Sequence, residues 1–287
     1  MSYLPRKVYR KIDHFREDLW RTIARKPLDL TIVNQKELRV VGLKRTGNHA
    51  VLKWIKSQQS GVIEHLNNVR PNENPFRDKY EHLQDNYPEH QGVIDRLRSQ
   101  ARGELVPKDC LICSYEDWEL SKIATKNFEA KHDLYVGKSA ERYDLLILRD
   151  PFNLIASRLK HSKMQIQLGR QTIVDLWVDY AREFLGETQY LQHRKVCINY
   201  NRWFQDVEYR RYLADLLKLD FTDAGIDKMT YHGGGSSFEG RELDGQATQL
   251  KVLDRWQSFK DDSVYQKLIA DDRIWYYFET IFGCLPN

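Results

Sequence analysis

Short apolar runs alternate with longer amphipathic stretches along most of the chain. Five runs have the length of a β-strand and lie at 38–42, 61–64, 110–115, 143–148 and 195–200. They are apolar on both faces, which is typical of strands buried in a parallel sheet. The stretches between them have helical periodicity and begin near Asn48, Gln91, Asn153, Ile173, Val207, Thr248 and Asp271. This alternation predicts an α/β fold in which a central parallel sheet is flanked by helices.

One domain accounts for the whole length. The 287 residues are 41% hydrophobic, enough for a full core, and neither a linker nor an internal repeat divides them. We predict a single domain, 1–287, with its core at 38–282 and a helical extension at 1–35 that contains an amphipathic helix from about 7 to 24. The polar stretch 67–88 is predicted to be a mobile surface segment, serving as a lid or as a loop on the acceptor side.

The charge balance narrows the classes of partner. There are 45 Lys and Arg against 41 Asp and Glu, a net charge of +4 that does not predict nucleic-acid binding. Basic residues cluster at 6–11 and 21–26, which fits either a solvated helix face packed beside the sheet or a surface for a phosphate-rich partner.

No apolar run reaches the ~20 residues of a membrane span, and the first residues lack the apolar core of a signal peptide. We therefore expect a soluble, cytoplasmic protein with no membrane partner, and leave a homodimer open.

Four cysteines give no disulfide framework in a chain of this length. The spacing Cys110-x-x-Cys113 is that of half a zinc site. However, the surrounding residues have the pattern of a strand, in which residues three apart face opposite sides, and no second ligand pair exists. We predict no metal site.

A strand, a loop and a helix start follow one another at 39–55. The spacing from Gly42 to Gly47 is that of a P-loop, but Asn48 and His49 stand where a nucleoside triphosphatase carries Lys and then Ser or Thr. The absent hydroxyl is the one that would hold Mg²⁺ on a triphosphate. A cationic loop at a helix N-terminus remains, and such a loop binds a phosphate without a metal. Its candidate binding residues are Lys44, Arg45, Thr46, Gly47, Asn48 and His49.

A second anion site is predicted after the fourth strand. Arg149 ends that strand, Pro151 begins a helix, and Ser157 lies about two turns along it. A guanidinium and a hydroxyl that converge on one place suit a phosphate monoester. The alternative is that Arg149 forms a structural ion pair with Asp150 or with another carboxylate.

Together the two motifs resemble those of the sulfotransferase family. The donor in that family is 3′-phosphoadenosine-5′-phosphosulfate (PAPS), and the nucleotide product is 3′-phosphoadenosine-5′-phosphate (PAP). Residues 45–49 overlay the family loop that binds the 5′-phosphosulfate, and Arg149 with Ser157, eight residues later, overlays the motif that binds the 3′-phosphate. The resemblance covers about 38–282. It implies metal-free transfer of a sulfuryl group from PAPS to a hydroxyl or amine of a small-molecule acceptor.

The resemblance also implies further nucleotide-binding residues. The strand that ends at Tyr200 resembles one whose Tyr borders the adenine, and 236–238 resembles a segment that lines the nucleotide. The late Arg-Lys-Gly of the family's 3′-phosphate loop is not visible, so one of three cations must supply its charge. Cytosolic members carry an adenine-packing Trp one turn before the position of Trp54, which either replaces it or is a core residue. The implied residues are Tyr200, Ser236, Ser237, Phe238 and the three cations Arg241, Lys251 and Arg255.

Sulfuryl transfer needs a general base for the acceptor and charge stabilisation for the leaving phosphate. Arg45 and His49, with Lys44 and the loop amides, are predicted to provide the stabilisation. The third strand ends at Glu116, where cytosolic sulfotransferases carry a His; some branches use a Glu, so Glu116 is our candidate base. It is alternatively a cap or first-turn carboxylate of the following helix. His65, after the second strand, is the rival base.

Two other classes of function are compatible with parts of the pattern. A P-loop kinase would need Lys and Ser or Thr after Gly47, and an acid where Arg149 stands. A catalytically inactive nucleotide-binding protein would bind the donor without transfer.

The acceptor pocket is predicted to be built from 67–88, 161–170 and 233–240, whose acids and aromatics suit a polar or cationic small molecule, such as a natural product.

Overall fold

The computed structural model describes residues 6–23, 32–161, 166–168, 171–229, 238, 240 and 242–283. The elements of its first half are α1 Arg6–Ile23, β1 Ile32–Gly42, α2 Asn48–Ser57, β2 Ile63–Leu66, α3 Pro75–Asn86, α4 Gln91–Ala101, β3 Lys108–Glu116 and α5 Lys126–Val136. Those of its second half are β4 Lys138–Leu148, α6 Pro151–His161, β5 Gln167–Leu168, β6 Gln171–Thr172, α7 Ile173–Leu185, β7 Val196–Asn199, α8 Tyr200–Gln205, α9 Val207–Leu216, α10 Ser263–Ile269 and α11 Asp272–Phe282. Short 3₁₀ turns occupy Leu120–Lys122, Ala247–Gln249 and Arg255–Phe259.

Five parallel strands form the central sheet in the order β2-β3-β1-β4-β7. The chain after β1 leads to β2 on one side of the sheet, whereas the chain after β4 leads to β7 on the other side, so the strand order reverses between β1 and β4. In this register Gly42 of β1 lies beside Glu116 of β3 and Ile147 of β4. Ligands of open parallel sheets bind at such a switch point, outside the carboxyl ends of the strands. The predicted α/β class with a parallel sheet and flanking helices is confirmed.

The sheet separates two apolar layers. Cys110 and Ile112 of β3 belong to one layer, whereas Leu111 and Cys113 belong to the other, as the alternation of a strand requires. Trp54 is fully buried in the layer that contains Cys110, and its Nε1 donates a hydrogen bond to Asp223 Oδ1 at 2.9 Å. Of the two interpretations of Trp54, the core residue is therefore the correct one.

The prediction of a mobile loop over 67–88 is wrong for most of its length, because α3 lies within it. Asn74 caps this helix by accepting hydrogen bonds from the N–H groups of Phe76 and Arg77, and Pro75 stands at its first position. Phe76 and Tyr80, one turn apart, are buried against the core. The dipeptide Asn-Pro and this apolar pair were the overlooked helix signals.

The predicted N-terminal helix is observed within one residue of its expected ends, as α1. It lies against α3 and α4 through ion pairs such as that of Arg10 with Asp85 and that of Glu17 with Arg77. None of the helices within the described ranges combines the length and the apolar character needed to cross a membrane.

Candidate nucleotide-binding site

The P-loop-like segment is a tight turn between β1 and α2. The backbone of Arg45 has a φ of 71° and that of Gly47 a φ of 98°, both left-handed, and the N–H of Thr46 donates to the Leu43 carbonyl at 3.1 Å. Thr46 is fully buried, and its Oγ1 has no hydrogen-bond partner within the described ranges. This hydroxyl is enclosed by the turn and does not line the cleft described below.

Tyr200 packs directly on this turn. A Cβ added to Gly47 would lie 2.1 Å from the Tyr200 ring, so only glycine permits the contact. The Arg149 guanidinium lies 5.4 Å from the centroid of the same ring, within cation–π range. Tyr200 thus joins the loop after β1 to Arg149, the residue that follows β4.

We expect Gly47→Ala to lower the free energy of unfolding by at least about 1–3 kcal/mol and to abolish nucleotide binding, because the new methyl group displaces Tyr200 and strains a left-handed residue. Thermal denaturation and nucleotide titration would measure both effects. The control is Gly92→Ala on α4, where an added Cβ meets nothing within 4 Å. Equal behaviour of the two variants would contradict the assigned packing.

Arg149 is buried among acceptors that carry no charge. Its Nη1 donates to the carbonyl oxygen of Arg45 at 3.0 Å and to Ser157 Oγ at 3.3 Å, and its Nη2 donates to the carbonyl oxygen of Val252. Within the described residues no carboxylate pairs with it, and its Nε has no hydrogen-bond partner. The alternative interpretation of Arg149, a structural ion pair, is therefore wrong for this part of the chain.

A second guanidinium reaches the same hydroxyl. Ser157 Oγ accepts from Arg255 Nη1 at 3.2 Å and donates to the Asn153 carbonyl at 2.7 Å. The Arg255 guanidinium also lies 5.1 Å from the ring of Phe238. Three cations were considered for the 3′-phosphate loop, and of these Arg255 lies beside Ser157 and Arg149. Lys251 is exposed and does not line the cleft, while Arg241, like Ser236 and Ser237, lies outside the described residues.

Glu116 ends β3 beside the turn, and Asn48 holds it there. Asn48 Nδ2 donates to Glu116 Oε1 at 2.9 Å and to the Leu43 carbonyl at 3.2 Å. Glu116 caps no helix, because the next helical turn begins at Leu120 with Glu119 before it. The interpretation of Glu116 as a helix cap is therefore wrong.

Asp117 fixes the loop rather than a helix. Its Oδ1 accepts from the Lys44 N–H at 2.9 Å and from the buried Arg158, while Lys44 Nζ lies 3.9 Å from Oδ2. Because its partners are a loop amide and a residue of α6, its role is to join β3 to both.

These side chains line one cleft at the carboxyl edge of the sheet. About 860 Å³ of it, partly open to solvent, holds no protein atoms. The predicted residues along its wall are Arg45, Gly47, Asn48, His49, Glu116, Arg149, Tyr200 and Arg255. Six other predicted residues within the described ranges are absent from this wall, namely Lys44, Thr46, His65, Ser157, Phe238 and Lys251. His65 lies within the edge strand β2, paired with Ile112, and β3 separates it from β1. The structure therefore does not bring the rival base to the cleft.

Part of the cleft wall was not predicted. It consists of Lys228 and of apolar residues, namely Trp203, Phe204, Ile226, Met229, Ala247, Leu250 and Val252. Most of these residues follow the last strand in a region without strand or helix periodicity, so no sequence pattern assigned them to a shared site. Trp203 and Phe204 follow Tyr200 on α8, and their indole and phenyl rings are flat and apolar.

Positive charge accumulates at the centre of the cleft. Burial lowers the pKa of the Arg45 guanidinium, and the charges of Arg149 and Arg158 lower it further, although Glu116 opposes them. No ion pair to the Arg45 side chain is present within the described residues. A bound anion would relieve this repulsion, so the arrangement has the electrostatics of an anion site.

Asp150 does not neutralise this charge by direct pairing. Its Oδ1 accepts from the backbone N–H and the side-chain Nδ2 of Asn153 at 2.8 and 3.0 Å, at the start of α6. Burial raises the pKa of Asp150 in spite of these hydrogen bonds and of the charge on Arg149. Asp150 thus orders the helix that carries Ser157.

Comparison with known proteins gives similarity at the level of solved structures. The chain is similar to mouse sulfotransferase SULT7A1 complexed with PAP, at 12% identity over 88% of this chain and 92% of that one, with a TM-score of 0.41. It is also similar to retinol dehydratase in complex with androsterone and inactive cofactor PAP, at 12% identity over 88% of this chain and 83% of that one, with a TM-score of 0.41. No family model and no curated protein sequence matches. Neither structural similarity assigns a role to a residue of this chain.

Proposed function

We propose that the cleft binds PAPS and that the protein transfers its sulfuryl group to a hydroxyl or amine of a small molecule. The observation that carries the proposal is the convergence of two buried guanidinium groups, those of Arg149 and Arg255, on the hydroxyl of Ser157. A dianionic phosphate is the ligand that suits two guanidinium groups held close together. A second cationic site, the turn that contains Arg45, opens onto the same cleft. A nucleotide with phosphates at both its 3′ and 5′ positions fits this pair of sites.

The remaining residues fit the same donor. The amides of the turn at the start of α2 suit the 5′-phosphosulfate end. Arg149 Nε, without a partner in the described ranges, has a hydrogen bond to spare for the 3′-phosphate. The part of the cleft wall that contains Trp203 and Phe204 suits a purine base, which stacks on flat rings.

The positions of these side chains suit the transfer of the sulfuryl group. The acceptor oxygen or nitrogen forms a bond to sulfur while the bond from sulfur to the 5′-phosphate oxygen breaks, which leaves PAP and the sulfated acceptor. Glu116 accepts the proton that the acceptor loses, and its hydrogen bond from Asn48 orients the carboxylate. Arg45, His49 and the amides of the turn stabilise the charge that develops on the leaving phosphate.

The kinase alternative has less support from the geometry. Asn48 occupies the position of the P-loop Lys, and its amide donates to Glu116 and to the Leu43 carbonyl. A neutral amide used in this way adds no charge for a triphosphate, which P-loop enzymes require at that place.

A transfer assay tests the proposed reaction. The full chain is incubated with ³⁵S-labelled PAPS and a panel of phenols, alkyl alcohols, amines and polar natural products. We expect at least one labelled product with equimolar release of PAP, and no product from Glu116→Gln. Transfer of the γ-phosphoryl group of ATP to the same panel would support the kinase. Tight PAP binding without transfer to any acceptor would support an inactive binding protein. Either result would overturn the proposal.

A further inference from the structure

The N-terminal helix α1 presents its apolar face to solvent. Ile12, Phe15, Leu19 and Ile23 are spaced at three, four and four residues and therefore share one face of the helix. Their exposed fractions lie between 45% and 68%. A helix that packs on a core normally buries this face. Here the stripe formed by these four residues has no cover among the described residues.

Polar contacts on the opposite face hold the helix in this orientation. They occur on successive turns between residues 10 and 21, so the helix is fixed over these turns. The contacts join Arg10 to Asp85, His14 to Glu81, Glu17 and Asp18 to Arg77, and the buried Arg21 to the carbonyl oxygens of Ala101 and Tyr135. The outward position of the stripe is therefore a consequence of specific docking.

The charges beside the stripe have one sign. Lys11 lies on one flank and Arg16 on the other, both exposed and without an ion pair in the described part of the chain. Of the nearby acids, Asp18 is paired with Arg77, and Asp13, three residues before Arg16, lies one row of the helix further from the stripe than Arg16 does. A second copy of α1, parallel or antiparallel, would bring these cations against the same cations. An anionic surface would instead be attracted by both flanks.

In contrast to the sequence-based expectation of no membrane partner, we propose that α1 docks the protein on an anionic lipid bilayer, lying in the plane of the interface. The stripe enters the boundary between headgroups and acyl chains, and Lys11 and Arg16 contact lipid phosphates. Helices with an apolar face and basic flanks bind membranes in this way without spanning them. The proposal does not depend on the chemistry of the nucleotide cleft.

Vesicle flotation of the full chain tests the proposal. We expect binding to phosphatidylcholine vesicles with about 30 mole per cent phosphatidylserine to be at least about tenfold stronger than to phosphatidylcholine alone, and to weaken at high salt. The double variant Phe15→Glu, Leu19→Glu should abolish binding. Lys11→Glu, Arg16→Glu should remove the preference for the anionic vesicles. Tyr276→Glu, at an equally exposed aromatic on α11, should leave both unchanged.

Circular dichroism and thermal denaturation establish that the variants are folded, which we expect because every substituted side chain is exposed. Equal, weak binding of the wild-type chain to the two kinds of vesicle would overturn the proposal. So would a wild-type dimer, detected by light scattering, that Phe15→Glu, Leu19→Glu converts to a monomer while no lipid is bound. That result would assign the stripe to a second copy of the chain.

Discussion

Glu116→Gln is expected to lower kcat at least ~100-fold while donor binding is retained, which is the usual size of the loss of a general base. Glutamine has the shape of glutamate and can still accept the hydrogen bond from Asn48, so the turn after β1 should keep its structure. It cannot take a proton from the acceptor. Steady-state kinetics with a saturating acceptor, together with PAP titration, separate the loss of turnover from a loss of binding.

The matched control is Glu119→Gln, three residues further along. Glu119 is partly exposed and forms an ion pair with Lys122, and it does not line the cleft. The Glu119→Gln variant should retain wild-type turnover. Near-wild-type turnover by Glu116→Gln would remove Glu116 from the mechanism, and equal losses in both variants would point to a general disturbance of the segment after β3.

Arg149→Ala is expected to weaken PAP binding by ~1.5 to 3 kcal/mol, about 10- to 150-fold, the value of a charged hydrogen bond. Adenosine 5′-phosphosulfate, which lacks the 3′-phosphate, should be affected much less. The comparison of two ligands matters because Arg149 also donates to the carbonyl oxygens of Arg45 and Val252, so its removal loosens the cleft for both. A loss confined to the 3′-phosphorylated ligand isolates the contact with that phosphate.

Two further variants support this comparison. Ser157→Ala removes the hydroxyl that both guanidinium groups approach. It should also weaken PAP binding more than binding of adenosine 5′-phosphosulfate, but by less than Arg149→Ala does. Arg202→Ala, an exposed arginine of α8 paired with Asp206, should change neither affinity. Equal losses for both nucleotides in Arg149→Ala would refute the assignment of the 3′-phosphate.

The sheet could be predicted from the sequence because buried parallel strands are apolar on both faces. The runs at 38–42, 110–115 and 143–148 all fall within strands of the sheet. The helix α3 was missed because it is mostly polar: its buried face consists of a few residues near its start, and its signal lies in Asn74 and Pro75.

The candidate site was predictable where residues follow a strand and not elsewhere. Arg45, Glu116 and Arg149 each come directly after or at the end of a strand, and parallel strands bring such residues together. His65 also appeared to follow a strand, but β2 continues through it at the edge of the sheet. Arg255 and Lys228 come from irregular segments, whose place depends on tertiary packing that periodicity does not encode.

Calorimetric titration of the wild-type chain with PAP, and separately with ATP and Mg²⁺, tests the central claim most directly. A cleft built for phosphates at both the 3′ and 5′ positions, with Asn48 in place of the P-loop Lys, should bind PAP in the absence of added metal. It should bind ATP with Mg²⁺ at least about tenfold more weakly. Tighter binding of ATP with Mg²⁺, or no heat of binding with PAP, would contradict the account.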